Sequence, residues 1–219
     1  MLKIFNRGSE EKTNTLAVIN FARVLFAGLI IFEILNFLKI LQFNTQFTWL
    51  GLVITAIFSL ALLEITALRY KQKKGHYLHW SVWIVVTIAL GLDAAGDFFH
   101  LYANITWWDQ VVHYADSAII NFTLFAIINA FWIDKFKFSL LFTKGRLKLA
   151  LFLSTASTVS LGALYEAEEY LEDVFFHTNR LGPGADTAND LTMNILGALT
   201  TVAFIYVYYL VTHKRKIID

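Results

Sequence analysis

Six long apolar runs decide what this chain can become. They lie near residues 16–41, 48–69, 78–102, 108–133, 149–176 and 189–212. Each reaches or exceeds the roughly 20 residues that a helix needs to cross the hydrocarbon of a bilayer. None shows the short apolar–polar alternation of a barrel strand, and the connections are too short for a second domain. Composition agrees: 57% of residues are hydrophobic and mean hydropathy is +0.56, against roughly 45–50% apolar in a soluble domain. The expected fold is all-α, a polytopic membrane helical bundle of about six transmembrane helices. One transmembrane domain (16–212) would lie between an N-terminal tail (1–15) and a basic C-terminal tail (213–219). The charged N-terminus leads into the first run with no small-residue cleavage site, which reads as an anchor and not as a removed signal peptide.

Charge placement orients the chain. Lys3, Arg7 and Lys12 precede the first run, and Arg69, Lys71, Lys73 and Lys74 fill the second connection. Lys135, Lys137, Lys144, Arg146 and Lys148 fill the fourth, and Lys214, Arg215 and Lys216 close the chain. The first, third and fifth connections contribute only Arg180. By the positive-inside rule both termini are cytoplasmic, and three hairpin tips face outward. The expected location is the cytoplasmic (inner) membrane, with lipids as the first partners and no nucleic acid.

The same outward half carries most of the acids. Asp93, Asp97 and His100 fall at i, i+4 and i+7, as do Asp109, His113 and Asp116. On continuous helices, each trio shares one face. A rise of 1.5 Å per residue puts Asp93 and Asp116 roughly 12–14 Å below the outer boundary, and Asp97 and His113 roughly 8 Å below it. The two faces therefore match layer by layer. Glu166, Glu169 and Asp173 follow on the fifth run, and Asp186, Asp190 and Asn194 come at four-residue spacing on the sixth.

Capping alone accounts for some of these. Asp109, Asp186 and Asp190 sit where helices begin, and a carboxylate there accepts free N–H groups and complements the dipole. Asp93, Asp97, Glu166, Glu169 and Asp173 approach C-terminal ends, where the dipole disfavours anions. Burying each charge in a span costs at least about 2.5–3.5 kcal/mol. Three offsets are open: bound protons, a water-filled acidic cavity, or one or more divalent cations. Carboxylates with imidazole suit zinc, manganese or iron in preference to calcium or magnesium. The chain has no cysteine, so thiolate sites and disulfides are excluded. No H-E-x-x-H metalloprotease pattern occurs.

Other features read more plainly. Arg23 and Glu64 are expected to pair, and His76 and His79 to be solvated. Glu33 and Asn36 lie in the outer half of the first run. Trp107 and Trp108 read as an interfacial belt. Gly182-Pro183-Gly184 forms a turn-rich connector or lid. Phe98-Phe99-His100 recurs as Phe175-Phe176-His177, 77 residues later, and the same offset carries Asp109 onto Asp186 and His113 onto Asp190. A duplicated hairpin would leave such a trace.

Three ordered motifs carry a family resemblance over residues 90–200. They are Trp107-Trp108-Asp109-x-x-x-His113, the helix A-L-Y-E-A-E-E-Y from Ala163 to Tyr170, and D-T-x-x-D-L-x-x-N-x-x-G from Asp186 to Gly197. Together they resemble the YjdF-like bacterial inner-membrane proteins, with Tyr165 where a tryptophan is usual. The skeleton is also similar to the wider VanZ-like group, which is associated with tolerance to lipoglycopeptide antibiotics. The resemblance implies a membrane location and a functional outward motif. It supplies no substrate.

The residues point first to a metal-dependent hydrolase or transferase acting on a lipid or lipid-linked envelope substrate at the outer leaflet. Asp97, His100, Asp109, His113, Glu169 and Asp190 would bind the metal, and Glu166 or Asp173 would be the general base. Asp93, Asp116, Asp186 and Asn194 would support them. A proton- or cation-coupled transporter, and a ligand binder with a structural metal, are the other readings; oligomeric state is not legible.

Overall fold

The computed structural model describes residues 2–43, 49–132, 144–177, 180–182 and 184–215. Lys135, Lys137, Pro183 and Lys216, used above, lie outside the described residues. The described residues form seven helices and no strand: α1 (Leu2–Phe37), α2 (Trp49–Lys74), α3 (Trp80–Phe98), α4 (Leu101–Asn104), α5 (Trp108–Trp132), α6 (Lys144–Phe176) and α7 (Asp186–Arg215). Six of them, all but α4, are long and apolar enough to cross a membrane. The helices run past the apolar segments into the basic ones, because lysine and arginine are good helix formers. The segment expected as an N-terminal tail thus continues α1 from Leu2.

One boundary corrects the sequence reading. The third run was expected to stay helical through residue 102, but α3 stops at Phe98, and His100 turns into the left-handed region (φ 54°, ψ 35°) before the short α4. His100 therefore does not share the α3 face with Asp93 and Asp97. His177 makes the same left-handed exit (φ 54°) after α6.

The chain divides into two compact units, residues 1–99 and 100–219. In the first, α1 packs against α2 and α3. Phe26, Ala56 and Leu90 form its core, with Leu29, Ile30, Leu60 and Val86 around them. Ala22 and Ala56 are fully buried; small residues let helix backbones approach where water does not drive association. Arg23 pairs with both Glu64 oxygens, one at 2.8 Å, as the sequence suggested. Its guanidinium also lies 5.1 Å from the centre of the buried Trp83 ring.

In the second unit α5 packs most extensively on α7, then on α6. Toward the C-terminal ends of α5 and α7 the core is apolar: Phe125, Leu147, Ala150, Leu151, Ile205 and Tyr209. Nearer their N-terminal ends the contact becomes a polar seam. Ser117 donates to the Asn194 side-chain Oδ1 (2.7 Å) and Asn121 to the Ala198 backbone carbonyl (2.7 Å). Thr201 donates to the Ala118 carbonyl (2.8 Å), and the Tyr114 hydroxyl to Thr200 (2.9 Å). Gly197 permits this closeness, since a Cβ there would stand 2.2 Å from the Tyr114 carbonyl oxygen. Ser117–Asn194 and Asn121–Ala198 are each 77 residues apart. The pairs advance together, so α5 and α7 run parallel, in the register that a parallel internal repeat requires.

Candidate metal centre

The N-terminal ends of α5 and α7 hold the acidic–imidazole cluster. Asp109 lies in the first turn of α5 and Asp186 in the first turn of α7, where each complements the helix dipole. One turn further in, the parallel register brings His113 beside Asp190. Ligand atoms of Asp109, His113 and Asp190 all lie within 4.8 Å of one another. His113 and Asp190 are buried and Asp109 is half-buried. Metal–ligand distances of roughly 2.0–2.2 Å allow two ligands to stand up to about 4.4 Å apart, so small rotamer changes close the trio on an ion.

Glu166 of α6 completes the cluster. Its carboxylate is 3.8 Å from His113 Nε2, which is itself 3.6 Å from Asp109 Oδ1. Glu166 is buried, and among the described residues neither of its oxygens closes a hydrogen bond within 3.5 Å, although the Thr187 hydroxyl is near. The Asp109 and Asp190 carboxyls present oxygens within 4.8 Å of each other. Like charges that close disfavour each other, and a proton or a cation between them would relieve the repulsion. Asn194, a further turn along α7, is fixed by Ser117, and its amide would meet any side chain at Gly162 (2.7 Å from a Cβ there). Asp116 is half-buried on α5. An open cleft of about 470 Å³ lined by Ala185, Asp186, Ala188, Asn189 and Thr192 adjoins this end of α7.

The remaining α6 acids serve a different purpose. Arg180, whose side chain is only 8% exposed, donates to Glu169 (2.9 Å), Glu172 (2.9 Å) and the Tyr165 hydroxyl (2.8 Å). Glu168 stands 3.7 Å away, and the guanidinium carbon lies 5.5 Å from the Tyr165 ring centre. Burial opposes the charge on Arg180, but Tyr165, Glu169, Glu168 and Glu172 outweigh it and hold its pKa above the ordinary arginine value. Asp173 accepts the backbone N–H groups of Arg180 (2.8 Å) and Leu181 (3.1 Å). Gly182 (φ +64°) follows, where a Cβ would collide with Asp186 Oδ2. The α6–α7 connection is thus latched onto α6 and abuts the first turn of α7.

Of the six residues expected to bind metal, three come together: Asp109, His113 and Asp190. Glu169 is instead an Arg180 partner, and His100 is outside this group. Asp97 belongs to the first unit with Asp93, where both are charged neighbours of Glu33. Of the two expected bases, Glu166 faces His113, whereas both Asp173 oxygens hold the connection. What sequence reasoning missed is Arg180. Its signal was present, as the lone cation among the acids. Tyr165 links the two clusters, its hydroxyl on Arg180 and its ring edge-on to His113 (5.9 Å between centres).

Fold and composition define an all-helical, multi-pass membrane protein. The chain belongs to the family described as "Predicted membrane protein (DUF2238)", whose model matches residues 21–210. It is also similar to an uncharacterized protein of Thermotoga maritima, 26% identical over 115 residues, which cover 51% of this chain and 54% of that protein. The chain therefore spans about half the length of this curated relative. No solved structure matches the chain.

Proposed function

We propose that the chain is a metal-dependent membrane hydrolase or transferase whose site faces the extracytoplasmic side and acts on a lipid or lipid-linked headgroup. One observation carries the reading. Two carboxylates and an imidazole converge within 4.8 Å beside a buried glutamate whose oxygens close no hydrogen bond within 3.5 Å among the described residues. A divalent cation of the zinc, manganese or iron type supplies Lewis-acid polarisation of a carbonyl or phosphoryl oxygen when bound. Asp109, His113 and Asp190 would hold it. Glu166 takes the proton from the attacking water, a role that suits a carboxylate within reach of the site and not consumed by structural bonds. Asn194, held by Ser117, orients the inner edge.

The lysine and arginine distribution supports an inner-membrane location with this end outward. The resemblance to YjdF-like and VanZ-like proteins supports an envelope substrate. The cleft beside Asp186, Asn189 and Thr192 gives such a headgroup an approach. Transport is less favoured by the seam below the site. Asn121, Thr201, Thr158 and Asn129 donate to backbone carbonyls, and Phe125, Leu147, Ile205 and Tyr209 fill the other end.

The test compares purified wild type with Glu166→Gln, loaded with zinc or manganese, on vesicles containing phospholipids and polyprenyl phosphates, with products followed by mass spectrometry. The expected result is a product in wild type and retention of metal with loss of turnover in the variant. Metal-loaded wild type that turns over nothing in the panel would favour a structural metal in a ligand binder. Turnover unaffected by Glu166→Gln would refute the assignment of the base.

A further inference from the structure

The connection between α2 and α3 carries a charge pattern that the proposed metal centre does not use. From Ile65 to Leu92 the chain has Arg69, Lys71, Lys73 and Lys74 and not one acid. The acid that precedes this stretch, Glu64, is taken by Arg23. Arg69, Lys71 and Lys73 are exposed and Lys74 is half-buried. Cations in the last turn complement the dipole of α2, but that does not account for how the connection after them is made.

The connection is short and folds back on α2. Only residues 75–79 separate the two helices. Gly75, in the left-handed region (φ +75°), closes α2 with its N–H on the Lys71 carbonyl (2.8 Å). His76 then stands edge-on to the buried Tyr70 (5.1 Å). The Lys71 ammonium lies over the Tyr77 ring, 4.5 Å from its centre, and 3.2 Å from its hydroxyl. Leu78 is buried, and His79 starts α3 by accepting the Ser81 N–H at Nδ1 (3.3 Å). Both helices are long and apolar enough to be spans. A connection of this length, anchored by Tyr70 and Leu78, cannot lift away from the membrane surface. Its cations therefore stay at the level of the lipid headgroups, where the exposed Trp80 supplies an interfacial aromatic.

We propose that the α2–α3 hairpin is a binding site for anionic phospholipid headgroups, in which Arg69, Lys71, Lys73 and Lys74 neutralise the lipid phosphate. Tyr77 holds the Lys71 ammonium in place for it. Four cations immediately beyond a span form the cluster that attracts such lipids. The first turn of α3 opens at the same connection and adds the positive end of its dipole. A soluble polyanion would need these charges displayed away from the bilayer, which so short a connection does not allow. The site is separate from the metal centre, which the other unit holds, and does not depend on which leaflet the hairpin meets.

The test is native mass spectrometry of the full-length protein in a nonionic detergent, titrated with phosphatidylglycerol or with phosphatidylcholine of the same acyl chains. Wild type is compared with the triple variant Lys71→Gln/Lys73→Gln/Lys74→Gln. A second triple variant, Lys144→Gln/Arg146→Gln/Lys148→Gln, makes the same change of charge at the start of α6. The expected outcome is a preference of wild type for phosphatidylglycerol. The hairpin variant should lose about tenfold or more of that affinity, with phosphatidylcholine binding unchanged, and the α6 variant should keep it. Lys71→Arg/Lys73→Arg/Lys74→Arg, which preserves the charge, should also keep it, and circular dichroism checks that each variant is helical. Equal affinity of wild type for the two lipids would overturn the proposal. So would phosphatidylglycerol affinity undiminished in the hairpin variant, or lost equally in both glutamine variants. Heparin bound by the hairpin cations in place of phosphatidylglycerol would give them to a soluble polyanion, and would overturn it too.

Discussion

Arg180→Ala removes the cation that four α6 groups share. Glu169 and Glu172 have side chains 11% and 4% exposed, and each is 2.9 Å from the guanidinium. Removing one partner of a buried ion pair costs about 3–5 kcal/mol, because the other charge is left without compensation. Two carboxylates are left here, so the upper part of that range is expected. For a chain of this size, 1 kcal/mol corresponds to roughly 2–4 °C in Tm, which gives a fall of about 10–20 °C. Tryptophan fluorescence during heating of the detergent-solubilised protein measures it. Arg180→Lys keeps the charge but loses the fork that reaches Glu172, Glu169 and Tyr165 together, and should fall between the two. Adding Glu169→Gln and Glu172→Gln to Arg180→Ala should recover part of the loss, since the cost lies in the stranded charges. A Tm for Arg180→Ala within 1–2 °C of wild type, about the effect of half a kilocalorie, would refute the reasoning.

Two further substitutions probe neighbouring parts of the same unit. Gly197→Val drives side-chain atoms into the Tyr114 carbonyl, 2.2 Å from the first of them. Backbone cannot yield as a side chain does, so α5 and α7 must separate, at a cost at or above the usual 1–3 kcal/mol of overpacking, with loss of bound metal as a second readout. Asp173→Asn weakens the acceptor of two backbone N–H groups, and charge-assisted bonds of this kind contribute about 1.5–3 kcal/mol. Faster proteolysis at the α6–α7 connection, with metal content unchanged, is the expected result.

Much of the fold was legible because its signals are local and additive. An apolar run of the required length reports a helix whatever its neighbours are, and the lysines and arginines bracket the runs. The α3 end was not legible. Phe98-Phe99-His100 contains no glycine or proline, and only the backbone shows His100 entering the left-handed region, where a non-glycine residue is uncommon. Within the site, the spacing of Asp109 and His113 gave their common face. Their meeting with Asp190 needed the register between α5 and α7, which the 77-residue recurrence hinted at and the Ser117–Asn194 bond displays. The partners that Glu169 and Asp173 take were out of reach of the sequence for a related reason. Helix periodicity puts Glu166, Glu169 and Asp173 on one side but says nothing of a loop arginine eleven residues beyond Glu169. Glu166 and Glu169 face different partners because one turn of helix separates the α5/α7 end from the Arg180 latch.

Elemental analysis of the purified protein, prepared without chelator, bears most directly on the central claim. Wild type is measured beside His113→Ala and Asp190→Asn, with Arg180→Lys as a control outside the cluster. The account predicts a transition metal near one per chain in wild type and Arg180→Lys, and its loss in the two cluster variants. Equal metal in His113→Ala and wild type, or none in wild type after loading with zinc or manganese, would contradict it.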